Sequence, residues 1–88
     1  MKHAGPEALS ALGGLLGEIR KGEGVVERRP GVFYRKGRAC LHFHEDPSGL
    51  HADVRWGADW ERFRVETATE RQTFLTALRK AQPPKTTG

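Results

Sequence analysis

The chain has 88 residues, enough for one small domain but not for a second hydrophobic core. Hydrophobic residues make up 36% of it and charged residues 30%, a balance typical of globular rather than disordered proteins. The single cysteine excludes an internal disulfide and the disulfide-rich secreted class. Glycines and charges interrupt the N-terminal apolar stretch, so we expect no membrane span and no signal peptide, and a cytoplasmic location. The net charge of +4 favours anionic partners.

An N-terminal helix is predicted to begin at Gly5-Pro6-Glu7, because proline suits the first turn and an acid there complements the helix dipole. Apolar residues then recur at spacings of three and four from Leu9 to Ile19. This pattern predicts one amphipathic helix of about fifteen residues. Gly22 or Gly24 is expected to end it.

Extended runs with alternating apolar and polar residues follow, at 25–29, 32–35, 38–44, 50–56 and 60–65. Pro30-Gly31 is predicted to break or bulge the first run, and Lys36-Gly37 to form a two-residue hairpin loop. Residues 45–49 have the composition of a turn.

The hairpin register predicted at Lys36-Gly37 decides which side chains face the core. It sets Tyr34 opposite Ala39 and Val32 opposite Leu41, facing inward. Phe33 is then expected on the outer face of the sheet.

A C-terminal helix is the clearest element, since Thr67 and Glu70 have the spacing of a capping box. Pro83-Pro84 is expected to end the helix. We therefore predict a single domain over 1–82 and a flexible tail over 83–88. The predicted fold is α+β with the order α-β-β-β-β-α, in which both helices pack on one face of an antiparallel meander sheet. The predicted inward set is Leu9, Leu12, Leu16, Ile19, Val32, Tyr34, Leu41, Phe43, Leu50, Ala52, Val54, Phe63, Phe74 and Leu78.

The outer face of the predicted sheet carries the strongest local bias in residue composition, because three of the four histidines fall within residues 42–51. Arginines are expected to flank them, so like-charge repulsion should lower the histidine pKa values. Asp53 is expected to form an ion pair with an arginine of the same face. The side chains that alternation places on this face are Cys40, His42, His44, His51, Asp53 and Arg55.

Our main functional prediction is a non-enzymatic binding domain that uses this face, for nucleic acid or another anionic partner such as an acidic protein. Basic residues would contact phosphates, and an exposed aromatic could stack on a base. The same charges could instead protect a sheet edge from aggregation, and an open sheet could also form a homodimer. The predicted binding residues are His42, His44, His51, Asp53, Arg55, Phe33, Arg35, Lys36 and Arg38.

The alternative is a zinc site, because a His-x-His pair on a strand directs both imidazoles to the same side. His42, His44 and His51 would be ligands, completed by Asp53 or by the Cys40 thiolate. A solvated polar face would produce the same alternation.

An enzyme is the least favoured prediction, and no catalytic residue or cofactor is assigned. Cys40, Ser10 and Ser48 are the candidate nucleophiles, but Cys40 is more simply a half-buried apolar residue. Trp56 and Trp60 flank a turn and are interpreted as a cap on the core.

The central hairpin carries Leu41-His42-Phe43-His44, then Asp46, Gly49-Leu50 and Ala52-Asp53-Val54-Arg55. With the run from Phe63 to Val65, it resembles a family of small bacterial α+β domains of unknown function. The resemblance covers about residues 31–80 and implies a compact bacterial α+β domain. It implies no activity and no catalytic residue.

Overall fold

The computed structural model describes residues 2–22, 24–55 and 57–81. Five strands form an antiparallel meander in chain order, and a short N-terminal strand pairs with the third of them. The α+β class and the helix-sheet-helix order are confirmed. No helix in the described residues has the length and apolar character needed to cross a bilayer. The elements are β1 (Lys2–His3), α1 (Pro6–Ala11), α2 (Gly13–Lys21), β2 (Val26–Arg29), β3 (Val32–Arg35), β4 (Arg38–Asp46), β5 (Gly49–Arg55), β6 (Trp60–Arg64) and α3 (Ala68–Ala81).

The N-terminal helical segment is a pair of helices, so the prediction of one continuous helix is wrong. The chain leaves helical geometry at Leu12, with φ −90° and ψ 7°. Two glycines follow at once, and glycine is a poor residue for helix propagation because it loses the most backbone entropy. Leu12 is fully buried at this break, which fits packing of the helix pair against the sheet. Helix α2 ends before Gly22, as predicted.

The meander has five strands, whereas the predicted order has four. The additional strand arises because Pro30 and Gly31 form a turn that separates β2 from β3. The Lys36-Gly37 hairpin is confirmed. Both residues have positive φ, 53° and 81°, as the turn type that matches strand twist requires.

The register between β3 and β4 shifts by one residue, which corrects the predicted facing of three side chains. Tyr34 lies opposite Ala39 as predicted, but Phe33 pairs with Leu41 and Val32 with His42. Cys40 is the extra residue of this β-bulge. The shift turns Phe33 into the core, where it is 1% exposed, and leaves Val32 and Tyr34 only half-buried.

The core lies between the helices and one face of the sheet. The Phe74 ring of α3 contacts Phe43 at 6.3 Å and Phe63 at 5.2 Å between centroids. The predicted capping box orients α3: Glu70 N–H donates to Thr67 Oγ1 at 3.1 Å, and Thr67 N–H donates to Glu70 Oε1 at 3.0 Å. The core residues are Leu12, Leu15, Leu16, Ile19, Phe33, Leu41, Phe43, Ala52, Val54, Val65, Phe74, Leu75 and Leu78.

Leu9, Leu50 and Phe63, which were predicted to face inward, are partly buried against this core. The predictions for Trp56, for Pro83-Pro84 and for the tail at 83–88 lie outside the described residues.

Candidate metal centre

Three histidine rings converge on the sheet face opposite the core. His42 and His44 belong to β4, and β1 sets His3 directly opposite His44. The ring centroids are 4.8 Å apart for His3–His44, 5.2 Å for His42–His44 and 5.6 Å for His3–His42. One ring nitrogen from each lies within 4.8 Å of the others. Within the described residues, these three form the cluster able to hold a metal ion.

His3 is the member of the cluster that the sequence patterns missed. Strand β1 has two residues, too few for any alternation to be recognised. It is held by contacts far along the chain: Ala4 N–H donates to Phe43 O at 3.0 Å, and Gly5 N–H donates to Glu45 Oε2 at 2.6 Å.

Asp53 connects the histidine cluster to Arg62. It lies opposite His42 in the register, is 9% exposed, and its Oδ2 is 3.0 Å from His44 Nδ1. Arg62 donates to both carboxylate oxygens, at 2.7 and 3.0 Å, which confirms the predicted pairing with an arginine. Burial by itself would raise the pKa of Asp53, but the Arg62 hydrogen bonds and charge outweigh it, so that pKa is lowered.

The pKa values of His42 and His44 are both lowered, as predicted, but the main cause differs. Burial contributes most at each ring, because desolvation disfavours the charged imidazolium. The neighbouring histidines contribute next at His42, whereas at His44 the Asp53 charge partly opposes burial. Both rings are therefore neutral at neutral pH and have a nitrogen lone pair for a metal.

Ring nitrogens in this region lack well-directed hydrogen bonds. The Nδ1 atoms of His42, His44 and His51 are buried and have no hydrogen-bond partner in the part of the chain that the structure describes. For His44, Nδ1 nevertheless lies 3.0 Å from Asp53 Oδ2. Within the cluster, the unpartnered atom is therefore His42 Nδ1, and a bound ion or water would explain it.

His51 does not join the cluster, which corrects the predicted ligand set. Its Nε2 faces the turn, 3.2 Å from Ser48 Oγ and 3.5 Å from Asp46 Oδ1. This trio lacks the geometry of a catalytic triad, because serine and aspartate meet the same ring nitrogen. The Ser48 hydroxyl also donates to Asp46 at 2.6 Å and is therefore already engaged.

Cys40, the other predicted ligand, is not part of the three-histidine cluster. The side chain is half-buried and packs against the core, in agreement with its interpretation as an apolar residue. Burial raises the pKa of its thiol, despite the opposing charges of Arg35 and Arg55.

Trp60 belongs to the open face rather than to the core, so the predicted core cap is wrong for this residue. It is 42% exposed, with its ring 4.7 Å from the His42 ring and 4.7 Å from the Arg55 guanidinium. Phe33, the predicted stacking residue, is buried and cannot reach a base. Arg35, Lys36 and Arg38 lie at the β3–β4 hairpin, beyond the cluster.

Comparison with known proteins yields no match to any family model, curated protein or solved structure. The geometry of the sheet face opposite the core therefore supplies the evidence for the function of this chain.

Proposed function

We propose that this chain is a non-enzymatic binding domain that holds a divalent transition metal, of the zinc class, through His3, His42 and His44. The observation that carries the proposal is the convergence of three imidazole nitrogens to within 4.8 Å of one another. Imidazole is a ligand for Zn, Cu, Ni and Fe, whereas Mg and Ca prefer oxygen ligands.

The distances fit a metal site that closes on binding. Zn–N bonds of about 2.0–2.1 Å in tetrahedral geometry place two ligand nitrogens about 3.3–3.4 Å apart. The ring nitrogens must therefore approach one another by up to about 1.4–1.5 Å. His3 is exposed and belongs to a two-residue strand, so it is the ligand with the most freedom to move. Three protein ligands leave the fourth position for water or an exchangeable ligand.

Asp53 supports the proposal as the partner of a metal-binding histidine. Such histidines usually interact with a carboxylate or carbonyl through the nitrogen that does not bind metal. The contact between His44 Nδ1 and Asp53 leaves His44 Nε2 for the ion. Arg62 would repel a cation, but the Asp53 carboxylate, to which it donates two hydrogen bonds, offsets its charge.

Zinc titration of the metal-free protein by isothermal calorimetry tests this site. We expect one ion per chain, with affinity lost in His42→Ala and His44→Ala and weakened in His3→Ala. His51→Ala is the matched control, because His51 lies on the same face and opposite His44 but turns away from the cluster.

Loss of binding in His51→Ala with retention in His3→Ala would favour the ligand set predicted from sequence and contradict this one. No zinc binding by the unaltered protein near neutral pH would refute the proposal. Affinity should also fall in acid, because protons compete for the imidazoles.

A further inference from the structure

One end of the sheet concentrates positive charge and carries an exposed indole. We name it the basic sheet end and define it by Arg35, Lys36, Arg38, Arg55 and Trp60. Three of its cations occupy the four-residue turn 35–38, and the register sets Arg55 beside Trp60.

Two of these cations face each other directly. Arg35 and Arg38 are register partners across the β3–β4 hairpin, with Lys36 between them in the turn. Like charges placed directly opposite on a sheet are destabilising. No hydrogen bond or ion pair joins Arg35, Lys36 or Arg38 to a carboxylate among the described residues.

Four arginines elsewhere in the fold have acidic partners. Within the described ranges, ion pairs join Arg20 to Glu27, Arg62 to Asp53, Arg64 to Glu70, and Arg79 to Glu18. Arg28 instead lies over the Tyr34 ring, and Arg71 donates to the Val65 carbonyl. The basic sheet end differs in concentrating three cations without a carboxylate partner within four residues. Such a concentration of positive charge is expected at a surface that binds an anion.

The exposed aromatic ring lies next to these charges. Trp60 is 42% exposed, and the Arg55 guanidinium covers part of its ring at 4.7 Å while also donating to Ala39 O at 2.6 Å.

A small metabolite does not fit here. The cleft beside Cys40, which Arg35 and Arg55 border, has a cavity volume of about 20 Å³, room for about one water molecule. A ligand of the basic sheet end would therefore lie across its surface rather than inside this cleft.

We infer that the basic sheet end binds single-stranded nucleic acid, with Arg35, Lys36, Arg38 and Arg55 contacting the phosphodiester backbone and Trp60 stacking on a base. A repeating phosphate chain matches several cations along one sheet end, and an exposed indole accepts any base. This binding needs no metal, although Trp60 also contacts His42 of the histidine cluster, with 4.7 Å between the rings.

Fluorescence anisotropy of a labelled oligothymidine tests the inference, with the whole chain in buffer containing a chelator. Four phosphate contacts to a single strand predict a slope of log affinity against log salt of about −2.8. The double variant Arg35→Gln/Arg38→Gln should make that slope less steep by about 1.4. Trp60→Leu should weaken binding by at least about fivefold.

The matched control is Arg79→Gln/Lys80→Gln, which removes the same net charge from the exposed side of α3. Unchanged slope in the control, with the expected change in the hairpin variant, would support the inference. An equal change in both would show that only net charge matters and would overturn it. Absence of oligothymidine binding would also overturn the inference. Tighter binding of the protein to anionic phosphatidylglycerol vesicles than to the oligonucleotide would overturn it as well. None of these results bears on zinc binding, which is measured separately by calorimetry.

Discussion

Replacing Asp53 by asparagine tests how the open face is organised. The change keeps side-chain volume but removes the charge that lies 3.0 Å from His44 Nδ1 and accepts two hydrogen bonds from Arg62. The Arg62 side chain is 50% exposed, so solvent screens much of the ion pair. We therefore expect a loss of about 1–2 kcal/mol in unfolding free energy, below the value for a fully buried pair.

The Asp53→Asn variant should also bind zinc more weakly, by more than its loss of unfolding free energy alone would explain. Loss of a carboxylate that orients a metal-binding histidine typically reduces metal affinity about 10–100-fold, equivalent to about 1.4–2.7 kcal/mol. Asparagine can still accept one hydrogen bond from Arg62, but it no longer offers a carboxylate to orient the His44 ring. The protein should therefore stay folded while its zinc affinity falls.

Two assays separate these effects: thermal unfolding in chelator for stability, and zinc calorimetry at a temperature where the variant is folded. About 1 kcal/mol corresponds to about 4–8 °C in a domain of this size. Asp46→Asn is the control, because it removes an equal charge from the turn beside His51. Unchanged zinc affinity in Asp53→Asn, alongside loss in His44→Ala, would refute the proposed role of Asp53. Equal weakening in both aspartate variants would reduce that role to a general charge effect.

Three further predictions follow from local features. Thr67→Ala removes the capping bond to the third helical residue, and urea denaturation should show a loss of about 1 kcal/mol; an unchanged midpoint would contradict the importance of the cap. Gly31→Ala places a methyl group 2.7 Å from Leu9 Cδ2, at a residue whose φ is 76°. Urea denaturation should therefore show that the variant loses about 1–3 kcal/mol of unfolding free energy. A neutral result would show that the turn relaxes freely. In chelator, stability should be constant between about pH 6.5 and about pH 8 and should fall as pH drops below about 6.5. The reason is that His42 and His44 have lowered pKa values in the fold, so unfolding lets them bind protons. His42→Asn/His44→Asn should flatten this dependence, and a rise in stability toward acid would contradict the pKa directions.

Local sequence signals predicted the elements that depend on neighbouring residues. The capping box of Thr67 and Glu70 and the positive-φ turn at Lys36-Gly37 both formed as expected. Each depends on interactions within a few positions of the chain, so its residue types are sufficient evidence. Alternation along β4 and β5 also placed His42 and Asp53 as cross-strand neighbours.

Features that depend on packing were not predicted. The bulge at Cys40 reverses the facing of Phe33, because one extra residue shifts every side chain before it to the other side of the sheet. The break at Leu12 likewise divides a segment whose apolar spacing suits one helix. The position of Trp60 beside a turn predicts a cap on the core, yet the register with Arg55 places it on the open face.

The candidate metal centre shows both contributions. The sequence by itself determined that His42 and His44 share one face, because alternate residues of a strand point the same way. Only the tertiary structure decided that His3 completes the cluster and that His51 does not. The pairing of β1 with β4 joins distant parts of the chain, and the Asp46–Ser48 turn draws the His51 ring aside. The alternation of residues along a strand predicts which face of the sheet a side chain occupies. Long-range strand pairing and local hydrogen bonds determine which residues that side chain contacts.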